Sequence, residues 1–115
     1  MEKSAINDTK TANYQVKNIE PVMIGSDMRA RLFTLASGDV IPWHYHRGAA
    51  DHYFVLQGVL TVSTRRPEED QTVGVGRDYR IAPGTPHLIA NCSAADCRFL
   101  LLQGVGACDW VKADD

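Results

Sequence analysis

Three histidines and one aspartate are the residues of this chain best suited to chemistry: His44, His46, Asp51 and His87. Imidazole nitrogens and a carboxylate oxygen suit Fe, Mn, Ni, Cu or Zn better than the hard cations Ca and Mg. Each residue sits in a stretch framed by glycine. The first stretch reads Gly38-x5-His44-x-His46-x4-Asp51-x6-Gly58, and the second reads Gly76-x6-Pro83-Gly84-Thr85-Pro86-His87-x3-Asn91. The chain has four histidines, and three of them fall in this frame. A lone histidine is more often an ordinary core or surface residue, but three so arranged argue for one shared metal ion.

Strands are the elements that would bring these side chains together. Successive side chains of a strand point to opposite faces, so His44 and His46 share a face and Tyr45 points away. A turn at Arg47-Gly48-Ala49-Ala50 is expected to return the chain as a neighbouring strand near Asp51. His87 then arrives from a distant strand, after the rigid turn Pro83-Gly84-Thr85-Pro86. By the same parity Tyr53 and Val55 face the way Asp51 does, while His52 faces the other way. Tyr53 reads first as a barrel-filling aromatic and second as a group that orients a substrate or acts as an acid. His52 is the alternative fourth ligand, with a surface or interface role preferred.

Arg29 and Arg31 share a strand face with Phe33 and Leu35. They read as a solvated pair of charges; if that face is inward, Arg31 becomes a candidate partner for a substrate carboxylate. Trp43 has opposite parity to His44 and is expected outside. Asn91 shares parity with His87, to serve either the pocket or a strand end. Gly38, Gly58 and Gly84 read as structural bends.

The rest of the chain supplies many short strands with turn signals at regular intervals. Tyr14–Ile19, Met28–Leu35, Tyr53–Leu56, Val59–Thr64, Thr72–Val73, Tyr79–Ile81, His87–Asn91 and Arg98–Gln103 all read as strands. Pro21 ends the first or marks an edge. The run Arg65–Asp70 reads as a solvated hairpin loop. No helical period is sustained, apart from a possible turn in the tail. Such a pattern predicts an all-β sandwich or barrel. Phe99–Leu102 is apolar on both faces, so one face fills the interior and the other needs a second layer or a second subunit.

The two glycine-framed stretches resemble the two signature motifs of the cupin superfamily. The usual first motif has Glu where Asp51 stands. In the second, Gly76, Gly84, His87 and Asn91 match; Ala82 replaces the usual first proline, and Pro83 follows one place later. The resemblance covers residues 28 to 105. It implies a cupin double-stranded β-helix, a jelly-roll barrel in one domain over residues 13–110, between a loose segment 1–12 and a tail 111–115. It also implies a divalent metal held by His44, His46, Asp51 and His87. Asp51 is one methylene shorter than Glu, so it either reaches the ion or holds a ligand histidine.

The function implied is a small metalloenzyme, dioxygenase-like or a metal-dependent isomerase or lyase, acting on a small molecule in the barrel. The alternatives are a non-catalytic metal- or ligand-binding sensory cupin and a metal-free sugar-nucleotide epimerase with a His base and a Tyr acid. The resemblance also implies a homodimer, with Tyr14 to Ile24 as the exchanging segment.

Bulk properties bound these readings. A chain of 115 residues suits one domain with a real core. A formal net charge of −2 gives no support to a nucleic-acid or anionic-membrane partner. The N-terminus lacks an apolar signal core and no apolar run reaches a membrane span, so a cytoplasmic protein is expected. Cys92, Cys97 and Cys108 are an odd count outside any disulfide framework; reduced thiols are expected, with a Cys92–Cys97 cross-strand pair conceivable.

Overall fold

The alternation of apolar and polar residues organises the chain into ten strands. The computed structural model describes residues 13–113. The strands are β1 (Asn18–Ile24), β2 (Met28–Leu35), β3 (Val40–Tyr45), β4 (Ala50–Gln57) and β5 (Leu60–Thr64), followed by β6 (Glu69–Val73), β7 (Asp78–Ile81), β8 (His87–Ala90), β9 (Cys97–Gly104) and β10 (Val111–Lys112). They form two five-stranded sheets, ordered β1-β2-β9-β4-β7 and β10-β3-β8-β5-β6. All pairings are antiparallel. No helix occurs among the described residues. This is the all-β, double-stranded jelly roll that the motifs implied.

The core lies between the sheets and is built by period-two burial. Along β9, Cys97, Phe99, Leu101 and Gln103 point inward and their neighbours outward. Phe33 of β2 pairs with Phe99 in register, and their rings stack with centroids 5.0 Å apart. Such an aromatic pair contributes about 0.5–1.5 kcal/mol beyond the area it buries. Leu35, Val55, Leu60, Val62, Ile81 and Ile89 join them in the apolar half of the interior. The polar half is the cluster of histidines and its surroundings.

Three local features differ from the expectation. The Arg47–Ala50 turn does not make a hairpin. It carries the chain from one sheet to the other, so β3 and β4 face each other across the interior rather than pairing edge to edge. The first strand begins at Asn18, runs through Pro21 with a bulge before Met23, and lies at a sheet edge. Its position there leaves proline's missing N–H without cost. In the tail, Val111 and Lys112 form a short strand on β3, pairing with Tyr45 and His44. The segment 1–12, expected to be loose, lies outside the described residues.

One glycine earns its place by close approach. Gly58 has φ +78° and sits so near the next loop that a Cβ would meet the Asp96 carbonyl at 2.4 Å. Only glycine allows both the backbone angle and the contact.

Candidate metal centre

Strict alternation along β3 would fail to build the site, because Ile41 and His44 are three residues apart and both buried. A bulge resolves this. Ile41 pairs with Ile89, but His44 pairs with His87, so one extra residue is absorbed between them. A bulge re-aims the side chains that follow it. Here it turns His44, and with it His46, into the interior. Within the bulge Trp43 faces outward, where the Arg65 guanidinium lies over its ring at 3.9 Å.

His87 comes from the strand beside His44, distant in sequence but directly paired in space. Its turn is fastened by the Gly84 N–H, which donates to the His46 carbonyl at 2.7 Å. Asp51 comes from β4 on the opposite sheet and closes the cluster from across the interior. The ligand atoms of His44, His46, Asp51 and His87 all lie within 4.8 Å of one another, and all four residues are buried.

The hydrogen bonds fix the tautomers. Each Nδ1 faces a backbone carbonyl, which can only accept, so each Nδ1 must donate. His44 donates to Pro42 at 2.7 Å, His87 to Thr85 at 2.8 Å, and His46 to Asp109. The three Nε2 atoms therefore turn their lone pairs toward the centre when the rings are neutral. Backbone carbonyls commonly orient metal-binding histidines in this way. The Nε2 of His87 and the Oδ1 of Asp51 are buried without a hydrogen-bond partner. Buried polar atoms normally have partners. Two orphans among convergent lone pairs are what a divalent cation would satisfy, so the donor set fits the metal.

Burial and the Asp51 charge set the electrostatics of the cluster. Burial, reinforced by the neighbouring His87, lowers the His44 pKa to about 3, so this ring stays neutral. Burial acts to raise the Asp51 pKa, but His46 and His87 outweigh it and hold the carboxyl well below the usual range. Its Oδ2 lies 3.3 Å from His46 Nε2 and 3.1 Å from His87 Nε2. Burial acts to lower the His46 pKa, yet the bond and charge of Asp51 and the Asp109 carbonyl bring it above the ordinary value. Tyr53 donates its hydroxyl to Asp51 Oδ2 at 2.8 Å. Burial, and then the Asp51 charge, push the Tyr53 pKa well upward, so it remains a donor.

A cavity of about 220 Å³ opens beside the cluster. His44, His46, Asp51 and Tyr53 line it, together with Arg29 and Arg31. The two arginines are therefore not a solvated pair. The β2 face they share with Phe33 and Leu35 is the inward one, and the register sets Arg29 against Gln103. Gln103 Oε1 accepts from Arg29 Nε at 2.8 Å and from Arg31 Nη2 at 3.3 Å. That orients the amide so that its Nε2 faces His46 Nε2 at 3.2 Å.

His52 and Asn91 lie elsewhere. His52 faces outward, bonded to Asp78 at 2.6 Å and stacked on Phe54. Asn91 closes a strand end: its amide donates to Leu35 and Ala95, and its oxygen accepts from Ser93. The three cysteines are free; Cys97 points into the core while Cys92 is exposed, so they form no cross-strand pair.

Among the wall residues that sequence reasoning missed are Gln103, Cys108, Asp109 and Trp110. Gln103 was legible, since it continues the inward parity of Phe99 and Leu101. Trp110 was not. Its ring stacks flat on His44, with centroids 3.6 Å apart and planes 8° apart. Only the presence of a large aromatic in a polar tail hinted at a packing role.

Comparisons with known proteins agree with this architecture. A structure of a Klebsiella pneumoniae protein with a double-stranded β-helix domain matches with a TM-score of 0.74 at 15% identity, covering 100% of this chain and 90% of that one. The TT1209 protein of Thermus thermophilus matches with a TM-score of 0.69 at 27% identity, covering 74% of this chain and 79% of that one. A recombinant oxalate oxidase in complex with glycolate matches with a TM-score of 0.74 at 16% identity, over 96% of this chain and 62% of the enzyme. None of the curated proteins compared matches this sequence. The family profile described as "Cupin domain" matches residues 31–103. That match spans more than half of the chain and contains all four clustered residues, and the chain belongs to the cupin family.

Proposed function

We propose that this cupin is a small metalloenzyme, with a divalent transition metal held by His44, His46, Asp51 and His87. The observation that carries the reading is the convergence of three Nε2 lone pairs and one carboxylate, all buried, with two of those atoms otherwise unpartnered. The bound ion would supply Lewis-acid or redox chemistry at positions that four protein ligands leave open. The protein's own part is to fix the rings through their carbonyl bonds, hold Asp51 through Tyr53, and enclose a small molecule in the cavity. Oxygenase, isomerase and lyase reactions all suit that arrangement, and metal-dependent turnover of a small molecule is the function proposed. A neighbour that is an oxalate oxidase accords with this class of chemistry.

The metal-free epimerase reading is weakened by Tyr53, whose hydroxyl is buried and committed to Asp51. We further propose a homodimer in the cytoplasm. The half-buried outer row Leu32, Leu100 and Leu102, and the exposed Val22, Met23 and Ile24 on edge strand β1, support a second copy. Three free thiols suit a reducing compartment. Light scattering at the mass of one chain would rule out the dimer.

Elemental analysis tests the metal. Near-stoichiometric metal in the parent protein, lost in a His46→Ala, His87→Ala variant, is the expected result. Failure of the parent to retain or take up Fe, Mn, Ni, Cu or Zn would overturn the proposal.

A further inference from the structure

Arg29 and Arg31 stand two residues apart on the same inward face of β2, at the wall of the cavity. Cations set this close inside a fold normally have carboxylate partners. Neither arginine has one among the described residues. Ion pairs elsewhere in the described residues join Lys17 to Asp96, Arg47 to Asp109, and His46, His52 and His87 to Asp51 or Asp78. Both guanidiniums share one neutral acceptor, the Gln103 oxygen. The Nε of Arg31 is buried and has no hydrogen-bond partner. Burial, and then the charge of Arg29, lower the Arg31 pKa, which marks a cation held against its preference for water.

Even partial burial of an uncompensated guanidinium is costly, and two half-buried side by side add repulsion. A planar fork with spare donors suits a planar anion bound through two parallel bonds. The position limits the size of that anion. Gln103 touches both arginines with its oxygen and His46 with its nitrogen. One amide group therefore separates the guanidiniums from the metal cluster.

We infer that the cavity binds a small carboxylate whose acid group is held by Arg31, with Arg29 beside it, and whose second oxygen lies a few bonds away toward the metal cluster. The inference rests on the metalloprotein reading for that second contact, and on the arginines alone for the first. It names the substrate class as short carboxylic acids bearing a second oxygen donor. Arg31 is a binding and specificity residue, and Gln103 keeps both arginines aimed into the cavity.

Isothermal titration with malonate and succinate, against the uncharged malonamide and succinamide, tests this. Each is titrated into metal-replete protein and into chelator-treated protein. At least one acid should bind the replete protein, about tenfold or more tighter than its amide. Arg31→Gln should weaken that binding by about tenfold or more while metal content stays unchanged. Arg31→Lys, which keeps the charge but not the fork, should fall between and shows that the fold is intact. Unchanged acid affinity in Arg31→Gln would mean that the ion alone holds the ligand, and would overturn the inference. So would amides that bind as well as acids, or no acid binding at all. Arg31-dependent acid binding in a protein that takes up no metal would leave the carboxylate site standing and sink only the metalloenzyme reading.

Discussion

Tyr53→Phe removes one oxygen from the middle of the site and leaves the ring in place. The wild-type hydroxyl donates to Asp51 Oδ2 at 2.8 Å, and both residues are about 1% exposed. The substitution leaves the buried carboxylate without that donor. A hydrogen bond to a charged acceptor contributes about 1.5–3 kcal/mol. Phenylalanine fits the same space, so no appreciable cavity term is added. The metal-free variant should therefore unfold in urea with its stability lowered by about 1.5–3 kcal/mol and its denaturant slope unchanged.

The charge of Asp51 should account for most of this. In an Asp51→Asn background the same substitution should cost clearly less, with a coupling of about 0.5–3 kcal/mol in the double-mutant cycle. Metal affinity should also fall, by roughly 10–100-fold, because a partner that orients a ligand is lost. A Tyr53→Phe protein within about 0.5 kcal/mol of wild type, the scatter of ordinary surface changes, would refute the view that this hydroxyl holds the carboxylate.

Other expectations follow from single contacts. Gly58→Ala forces a Cβ to within 2.4 Å of the Asp96 carbonyl at φ +78°, and should destabilise the protein by at least ~1–3 kcal/mol in urea unfolding; a neutral effect would contradict the close approach. Iodoacetamide at pH 8, followed by mass spectrometry, should label exposed Cys92 and spare Cys97, which is buried with its pKa raised to about 11; equal labelling of the two in native protein would show the core to be open there. Chelation should lower the thermal midpoint of metal-loaded protein, since free ion at 100 times its Kd adds about 2.7 kcal/mol of stability; an unmoved midpoint would argue that no ion was bound to the folded form.

The ligand residues were legible because their signal is local. His44 and His46 are two apart, the glycine frames mark the bends, and His87 follows a rigid turn. The inward parity of Asp51, Tyr53 and Val55 was also readable, because β4 alternates without interruption as far as Val55. Pairing was not legible. Whether the Arg47–Ala50 turn closes a hairpin or changes sheets depends on which strands meet across the whole domain, and the turn residues do not encode that. The bulge in β3 was hidden for a similar reason: only the register against β8 reveals the extra residue. The arginines were misjudged because a charged pair on a strand is usually solvated. Their inward face became evident only once β9 set Gln103 opposite Arg29.

The arrangement of the four ligands carries a consequence for folding as well as for chemistry. The three histidines belong to β3, its continuation and β8, in one sheet, whereas Asp51 belongs to β4 in the other. An ion bound by all four would tie the two sheets together through the polar half of the core. That half has little else to hold it. Its side chains include imidazoles, a carboxylate and two guanidiniums that have no carboxylate partner among the described residues, groups that lose hydration on burial without the apolar gain of Phe33 and Phe99. Trp110, just before the two-residue strand β10, adds an aromatic surface there by stacking on His44. An ion bound there should therefore rigidify the polar half more than the apolar half, which is already held by packing. Sites that must admit and release small molecules are commonly drawn from the less stable parts of a fold. In this cupin the division runs through a single interior, and the metal cluster lies on its polar side.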